Sequence, residues 1–227
     1  MFLIYAGYPL QAQALNTPVK VSYEFKGTSF PLVHKHQATP LFIDFSDADV
    51  VKIASTALQN DIKLMTGITP VLKENNQITS QYAVIIGTIG QSTTINQLIK
   101  TNKIQASKVK GRWETFSIAV VKNPFKNVKQ ALVIYGRDKR GTAFGVFELC
   151  RRMRISPLVW WAEVKPTHHN AIYLTPGQSI DGPPSVKYRG IFLNDEDWGL
   201  RPWAALNMDP DKKDIGPRTY EKVFELF

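Results

Sequence analysis

Eighteen residues, Val186 to Trp203, constrain this chain more than any other stretch. Val186 to Leu193 has the composition of a strand. It runs straight into Asn194-Asp195-Glu196-Asp197, with Trp198, Gly199 and Trp203 close behind. An apolar strand that ends in clustered carboxylates and aromatics has the pattern of a functional site at the C-terminal end of a barrel strand. A helix is predicted from Thr219, and it is still running at Phe227. One strand and one helix cannot close a barrel or bury both faces of that strand. The stretch therefore reads as the opening βα unit of a longer protein.

Upstream, the apolar pattern predicts a separate α/β domain. A strand is expected within Val33 to Phe45, firmest over Pro40 to Phe45, followed by a helix with Ser46 as N-cap and Asp49 completing a capping-box-like pair. Val50, Ile53, Ala54, Ala57, Leu58, Ile62 and Met65 recur at helical spacing, and Gly67 is the expected C-cap. Tyr82 to Gly87 is a near-continuous apolar run, as in a buried strand. The turn Gly87-Thr88-Ile89-Gly90 and a short helix opened by Ser92 follow it. That glycine turn lacks a dinucleotide fingerprint and reads as structural.

Strands are predicted over Glu114 to Val121 and Ala131 to Tyr135, joined by a turn at Asn123 to Asn127. Gly136 to Thr142 reads as a polar, glycine-bounded loop. It leads into an apolar helix containing Ala143, Phe144, Val146, Phe147, Leu149, Cys150 and Met153. Ala171 to Leu174 is a last short strand, and Pro176 to Ser185, rich in Gly and Pro, reads as a linker. The order β-α-β-α-β-β-α-β describes an α/β layer domain. The expected organisation is a signal-peptide remnant over 1–14, the α/β domain over 15–180, and a linker with the first barrel unit over 181–227.

The first ten residues are apolar, and Ala12-x-Ala14 has the small-x-small spacing of a signal-peptidase site, although the basic n-region is missing. A periplasmic or secreted location is expected on that basis. No run of about 20 apolar residues occurs, so no membrane span is expected. The single cysteine, Cys150, reads as a buried structural thiol, and His168-His169 has no partner at metal-ligand spacing. The net charge of +9 partly clusters, at Lys100, Lys103, Lys108, Lys110 and Arg112 and again at Arg137, Lys139, Arg140, Arg151, Arg152 and Arg154. Such surfaces favour anionic partners. No aromatic-interleaved motif accompanies the charges, so nucleic acid is not expected as a partner.

Tyr188-Arg189-Gly190-Ile191-Phe192-Leu193-Asn194-Asp195-Glu196 resembles the start of the catalytic barrel in glycoside hydrolase family 115, the xylan α-1,2-glucuronidases. Two upstream blocks, Gly136 to Thr142 and Ser156 to Val164, are similar to that family's N-terminal domain, and the likeness continues through Ile215-Gly216-Pro217 and Thr219-Tyr220-Glu221. The resemblance implies a two-layer α/β sandwich domain followed by the truncated start of a TIM (β/α)8 barrel. It implies an inverting hydrolase that removes glucuronic acid, or its 4-O-methyl ether, from glucuronoxylan. It implies no metal and no organic cofactor, and a longer, often dimeric parent.

On that reading the catalytic candidates are Glu196 and Asp195, and the substrate-binding candidates are Asn194, Trp198 and Arg140. Inverting glycosidases commonly set two carboxyl groups about 6.5–9.5 Å apart on opposite sides of the bond. Neighbours on one strand end are poorly placed for that, so one catalytic carboxylate at most is expected here, with its partner beyond Phe227. Glu196 would activate or orient the water, and Asn194 and Asp195 would hold sugar hydroxyls. Trp198 and Trp203 would form sugar platforms, and Arg140 would meet the substrate carboxylate through a bidentate pair. The plainer reading has these carboxylates capping the next turn or pairing with Arg189 or Arg201, the tryptophans packed in a core, and Arg140 solvated. Two other functions stay open, a non-catalytic carbohydrate-binding or interface module and a hexosaminidase-like glycosidase. The 227-residue chain alone is expected to be inactive.

Overall fold

The computed structural model describes residues 17–75 and 77–225, so the signal-peptide reading of residues 1–14 lies outside the described residues. The chain divides into two compact units, Met1–Ile155 with Pro166–Pro183, and Ser156–Lys165 with Pro184–Phe227.

The first unit is mixed α/β. Its strands are β1 (Val21–Ser22), β2 (Phe30–His34), β3 (Gln37–Ala38), β4 (Leu41–Ile43), β5 (Leu72–Glu74), β6 (Tyr82–Thr88), β7 (Phe116–Lys122), β8 (Gln130–Gly136), β9 (Ile172–Leu174) and β10 (Gln178–Asp181). Its helices are α1 (Asp49–Thr66), α2 (Thr93–Lys100) and α3 (Lys139–Arg152). The central sheet has the order β10-β7-β8-β6-β4-β5, parallel from β8 to β5 and antiparallel at β7 and β10. A smaller antiparallel sheet has the order β1-β9-β2-β3.

The continuous apolar runs of β6 and β8 follow from their place in that sheet, because a parallel strand covered on both faces has no water-facing side to leave polar. Val84, Ile86, Leu132 and Ile134 pack into one cluster with α1, α3 and the small sheet, around Leu58, Ile62, Val146, Phe30 and Leu174. Their neighbours Ala83, Ile85, Ala131, Val133 and Tyr135 enter a second cluster with Ile95 and Leu98 of α2 and with Ile104 and Val109. Helices therefore cover both faces of the central sheet, where two layers are expected from the sequence.

Gly67 ends α1 as expected, in the left-handed region at φ 73°, with its N–H donating to Lys63 O at 2.8 Å. Ser92 caps α2 by accepting from Ile95 N at 3.2 Å. Three local expectations are corrected. The N-cap of α1 is Ala48, not Ser46, because the Ser46 hydroxyl is drawn to Asp44 at 2.8 Å. Most of the stretch expected as a loop after Gly136 is helix, because Asp138 accepts from Gly141 N at 2.9 Å and starts α3 at Lys139. The expected linker contains β10, paired with β7 from Gln178↔Ala119 to Asp181↔Phe116.

An open parallel sheet usually takes its ligands at the C-terminal ends of its strands. Here the chain's own carboxylates occupy that place. Asp44, at the end of β4, is buried. It accepts from the backbone N–H of Thr93 at 2.8 Å and from the Thr93 hydroxyl, and also from Ser46. Asp47 accepts from Ala48 N at 2.9 Å and from Thr88 N at 2.6 Å. Burial raises the pKa of the Asp44 carboxyl, but the hydrogen bonds from Thr93 and Ser46 outweigh it and hold it below its usual 3.8. Asp44→Ala strands the donors at the start of α2. It is expected to cost about 2 kcal/mol, measured by urea unfolding of the chain.

A second expectation concerns pH. His169 stacks on Tyr23 with ring centroids 3.4 Å apart and planes within 1°, and its backbone N–H donates to Met65 O at 2.9 Å. Burial, then the positive charges of His168 and Arg154, hold the His169 pKa below the usual 6.5. The unfolded chain therefore binds this proton more readily than the folded one. Stability is fully present above pH 6.5 and declines as pH falls through the lower folded value. His169→Phe keeps a stacked ring and should flatten that limb in urea midpoints recorded across the range. The Asp44 limb should persist below 3.8.

Candidate functional site

The second unit contains a 3₁₀ turn at Pro157–Val159 and the helices α4 (Leu200–Asn207) and α5 (Pro217–Phe224). Residues 186–193 do not form the expected strand. A strand needs a neighbour to take its backbone hydrogen bonds, and among the described residues none pairs with this segment. Tyr188 and Phe192 are 87% and 92% exposed, so the apolar side chains that marked the stretch as a strand face outward.

The acidic tip is a turn rather than a strand end. The Asn194 side-chain oxygen accepts from Glu196 N at 3.2 Å, Gly199 N donates to Glu196 O at 2.8 Å, and Leu200 N donates to Asn194 O at 3.0 Å. This closes 194–200 on itself and leads into α4. A side chain at Gly199 would bring its Cβ to 2.5 Å from Asn194 O, so the turn requires glycine there. The alternation expected of an extended strand is lost, and Asn194, Asp195, Glu196, Asp197 and Trp198 are all exposed. Asp197 pairs with Arg201 at 3.1 Å, and Arg201 also reaches Asp214 at 3.2 Å. For Asp197 the plainer, ion-pair reading is the observed one. No hydrogen bond or ion pair to the Asp195 or Glu196 carboxylate is found among the described residues.

The tryptophans separate into two environments. Trp203 packs on Trp161 with centroids 5.1 Å apart, and the Lys222 ammonium lies 4.6 Å from the Trp160 ring centroid. Trp198 is 79% exposed, with a free face of the kind a sugar ring would need. In the first unit, Arg140 stands in the first turn of α3. It pairs with buried Glu114 at 3.0 Å and lies 5.7 Å from the Phe144 ring centroid.

Asp209 is the polar residue that holds this unit together, and sequence reasoning missed it. It is buried between α4 and α5. Its carboxylate accepts from Gly216 N at 3.1 Å, Thr219 N at 3.0 Å and the Thr219 hydroxyl at 2.6 Å, and it pairs with Arg218 at 3.2 Å. It thus caps α5 from seven residues upstream, where a helix N-terminus favours negative charge. Burial raises its pKa, but the hydrogen bonds from Thr219, Arg218 and Gly216 outweigh this and leave it lowered. The available signal was Pro217 at the first helical position, and nothing in the spacing pointed back to Asp209.

Among the described residues, no group of three or more His, Cys, Asp or Glu is placed to hold a metal ion. No helix among them is long and apolar enough to cross a membrane.

Residues 181–227, which include the acidic turn and both helices of the second unit, match the family model for glycosyl hydrolase family 115. A solved structure described as a novel family GH115 4-O-methyl-alpha-glucuronidase, BtGH115A, with specificity for decorated arabinogalactans, matches 87% of this chain at 37% identity with a TM-score of 0.70. The chain belongs to glycoside hydrolase family 115. It spans 24% of the length of that solved structure. A Streptomyces plicatus N-acetyl-beta-hexosaminidase covers 67% of this family 115 chain and 24% of its own length, at 11% identity and a TM-score of 0.31. No curated protein matches.

Proposed function

We propose that this chain is the N-terminal part of a glycoside hydrolase that removes glucuronic acid, or its 4-O-methyl ether, from a polysaccharide by inversion. The supporting observation is the family match over 181–227 together with 37% identity to a 4-O-methyl-alpha-glucuronidase across 87% of the chain. In this reading the first unit is an accessory α/β domain, and residues 186–224 are the first βα unit of a (β/α)8 barrel. Segment 186–193 would take its strand hydrogen bonds from neighbours in the longer protein, and its exposed Tyr188, Ile191 and Phe192 would be covered there.

The acidic turn would then stand at the top of the barrel, where such enzymes gather their site. Glu196 is proposed to activate the attacking water, with Asp195 and Asn194 holding sugar hydroxyls and Trp198 offering a stacking face. Arg140 is proposed to meet the substrate carboxylate, which requires it to exchange its present partner Glu114. The chain is proposed to be exported, and the longer protein to pair as a dimer.

Glucuronoxylan is the proposed polymer. A decorated arabinogalactan is a second reading, favoured by the specificity of the solved relative for such polymers. Release of glucuronic acid by the longer polypeptide, measured on both polymers and on chitobiose-type substrates, tests the proposal. Hydrolysis of chitobiose alone would replace it with hexosaminidase chemistry. The 227-residue chain should release nothing from any of the three.

A further inference from the structure

Residues 75–137 carry nine Lys or Arg and a single carboxylate, Glu114, so eight of the nine net positive charges of the chain reside in this stretch. Glu114 is buried and engaged by Arg140, so it does not neutralise the surface. The densest part follows α2. There Ile104, Ala106 and Val109 are buried, while Lys100, Lys103, Lys108, Lys110 and Arg112 are exposed.

The backbone beneath those charges is held in place. Lys103 N donates to Leu98 O at 2.9 Å, Lys110 N donates to Ala106 O at 2.7 Å, and the Tyr135 hydroxyl donates to Gln105 O at 2.9 Å. Ile104 and Val109 are buried in the same apolar cluster as Ile95 and Leu98 of α2 and Tyr135 of β8, which fixes this segment on the sheet. Among the described residues none of the five cations is in an ion pair. The other basic group differs, because Arg140, Arg151 and Arg152 are paired with Glu114, Glu148 and Asp181.

We propose that this face of the first unit is a docking surface for a uronate-bearing polysaccharide. Five uncompensated cations on an ordered frame raise the local concentration of a polyanion without contacting its scissile bond. Four of the five are lysines, which act as compact point charges suited to carboxylates spread along a flexible polymer. No aromatic lies between Lys100 and Arg112 to stack on bases, as proteins that bind single-stranded nucleic acid require. The identity of the polymer rests on the glucuronidase reading above, whereas the surface itself does not.

Affinity electrophoresis of the 227-residue chain tests this, with glucuronoxylan, carboxyl-reduced glucuronoxylan and DNA as separate probes at an ionic strength of about 0.15 M. Glucuronoxylan should retard the chain and the carboxyl-reduced polymer should not. Changing Lys100, Lys103, Lys108, Lys110 and Arg112 to Gln should weaken binding roughly ten- to thirty-fold, with the thermal melt unchanged. A control with Lys20, Lys26, Lys35 and Lys63 changed to Gln should bind like the unaltered chain.

Absence of retardation, equal loss in the control, or tighter binding to DNA than to glucuronoxylan would each overturn the proposal. The two readings fail separately. A longer polypeptide that releases no glucuronic acid, beside a chain that still distinguishes the charged from the reduced polymer, removes the enzyme and leaves the surface. Activity without that discrimination removes the surface alone.

Discussion

Gly136→Ala is expected to destabilise the first unit by about 3 kcal/mol, since a methyl group forced against backbone belongs with the severe overpacking changes. Gly136 ends β8, where the chain turns into α3. A Cβ there would stand 2.1 Å from Thr142 N and 2.6 Å from both Gly141 C and Thr142 Oγ1. None of these is the far end of a flexible side chain. Two are backbone atoms of the first turn of α3, and that turn is held by Asp138 at Gly141 N and by the contact of Thr142 with Thr88 at 2.8 Å. Relief requires α3 to move off the sheet, and α3 carries Val146 and Leu149 of the first apolar cluster. Gly190→Ala is the matched control, because nothing lies within 4 Å of a Cβ there. Urea midpoints should fall sharply for Gly136→Ala and stay within about 0.5 kcal/mol of the unaltered chain for Gly190→Ala. Equal midpoints for the two variants would show that the β8–α3 approach tolerates a methyl group.

What the sequence made legible follows the reach of each interaction. The apolar spacing of α1 and its glycine cap involve residues within a few positions of each other, and they were read to within two residues at either end. β6 and β8 were readable because burial on both faces leaves no polar position to interrupt the run. Features whose partners are distant in sequence were not readable. β10 sits in a Gly- and Pro-rich stretch and becomes a strand only through β7, some sixty residues upstream. Ser46 looked like a cap because nothing local shows that Asp44 would claim its hydroxyl.

Residues 186–193 are the converse case. The composition favours a strand, yet propensity describes fit to a pleated, half-buried surface, and that surface has to be supplied by neighbours. The cluster at Asn194 to Asp197 was found from residue type alone, but its backbone could not be. Reading the segment as extended hid the turn that Asn194 and Gly199 close. The turn in turn explains why four consecutive polar side chains are exposed together rather than on alternating sides.

The largest functional effect is expected at that turn. In the longer polypeptide, Glu196→Gln should lower kcat by about 10²-fold or more, because a positioned general base contributes about 10²–10⁴-fold and a carboxamide cannot take the water proton. Asp195→Asn should act mainly on KM if Asp195 binds sugar hydroxyls, and on kcat if it is itself the base. The split between the two constants therefore assigns the roles. Neither change should unfold the protein. Both side chains are exposed, Gln and Asn keep the original shapes, and the turn is closed by Asn194 and backbone groups rather than by these carboxylates. Asp197→Asn is the internal comparison. It removes the Arg201 pair at 3.1 Å, a surface contact worth about 0.5 kcal/mol, and should leave turnover within about two-fold. Unchanged kcat and KM in both Glu196→Gln and Asp195→Asn, with thermal melts matching the unaltered protein, would remove the acidic turn from the proposed mechanism.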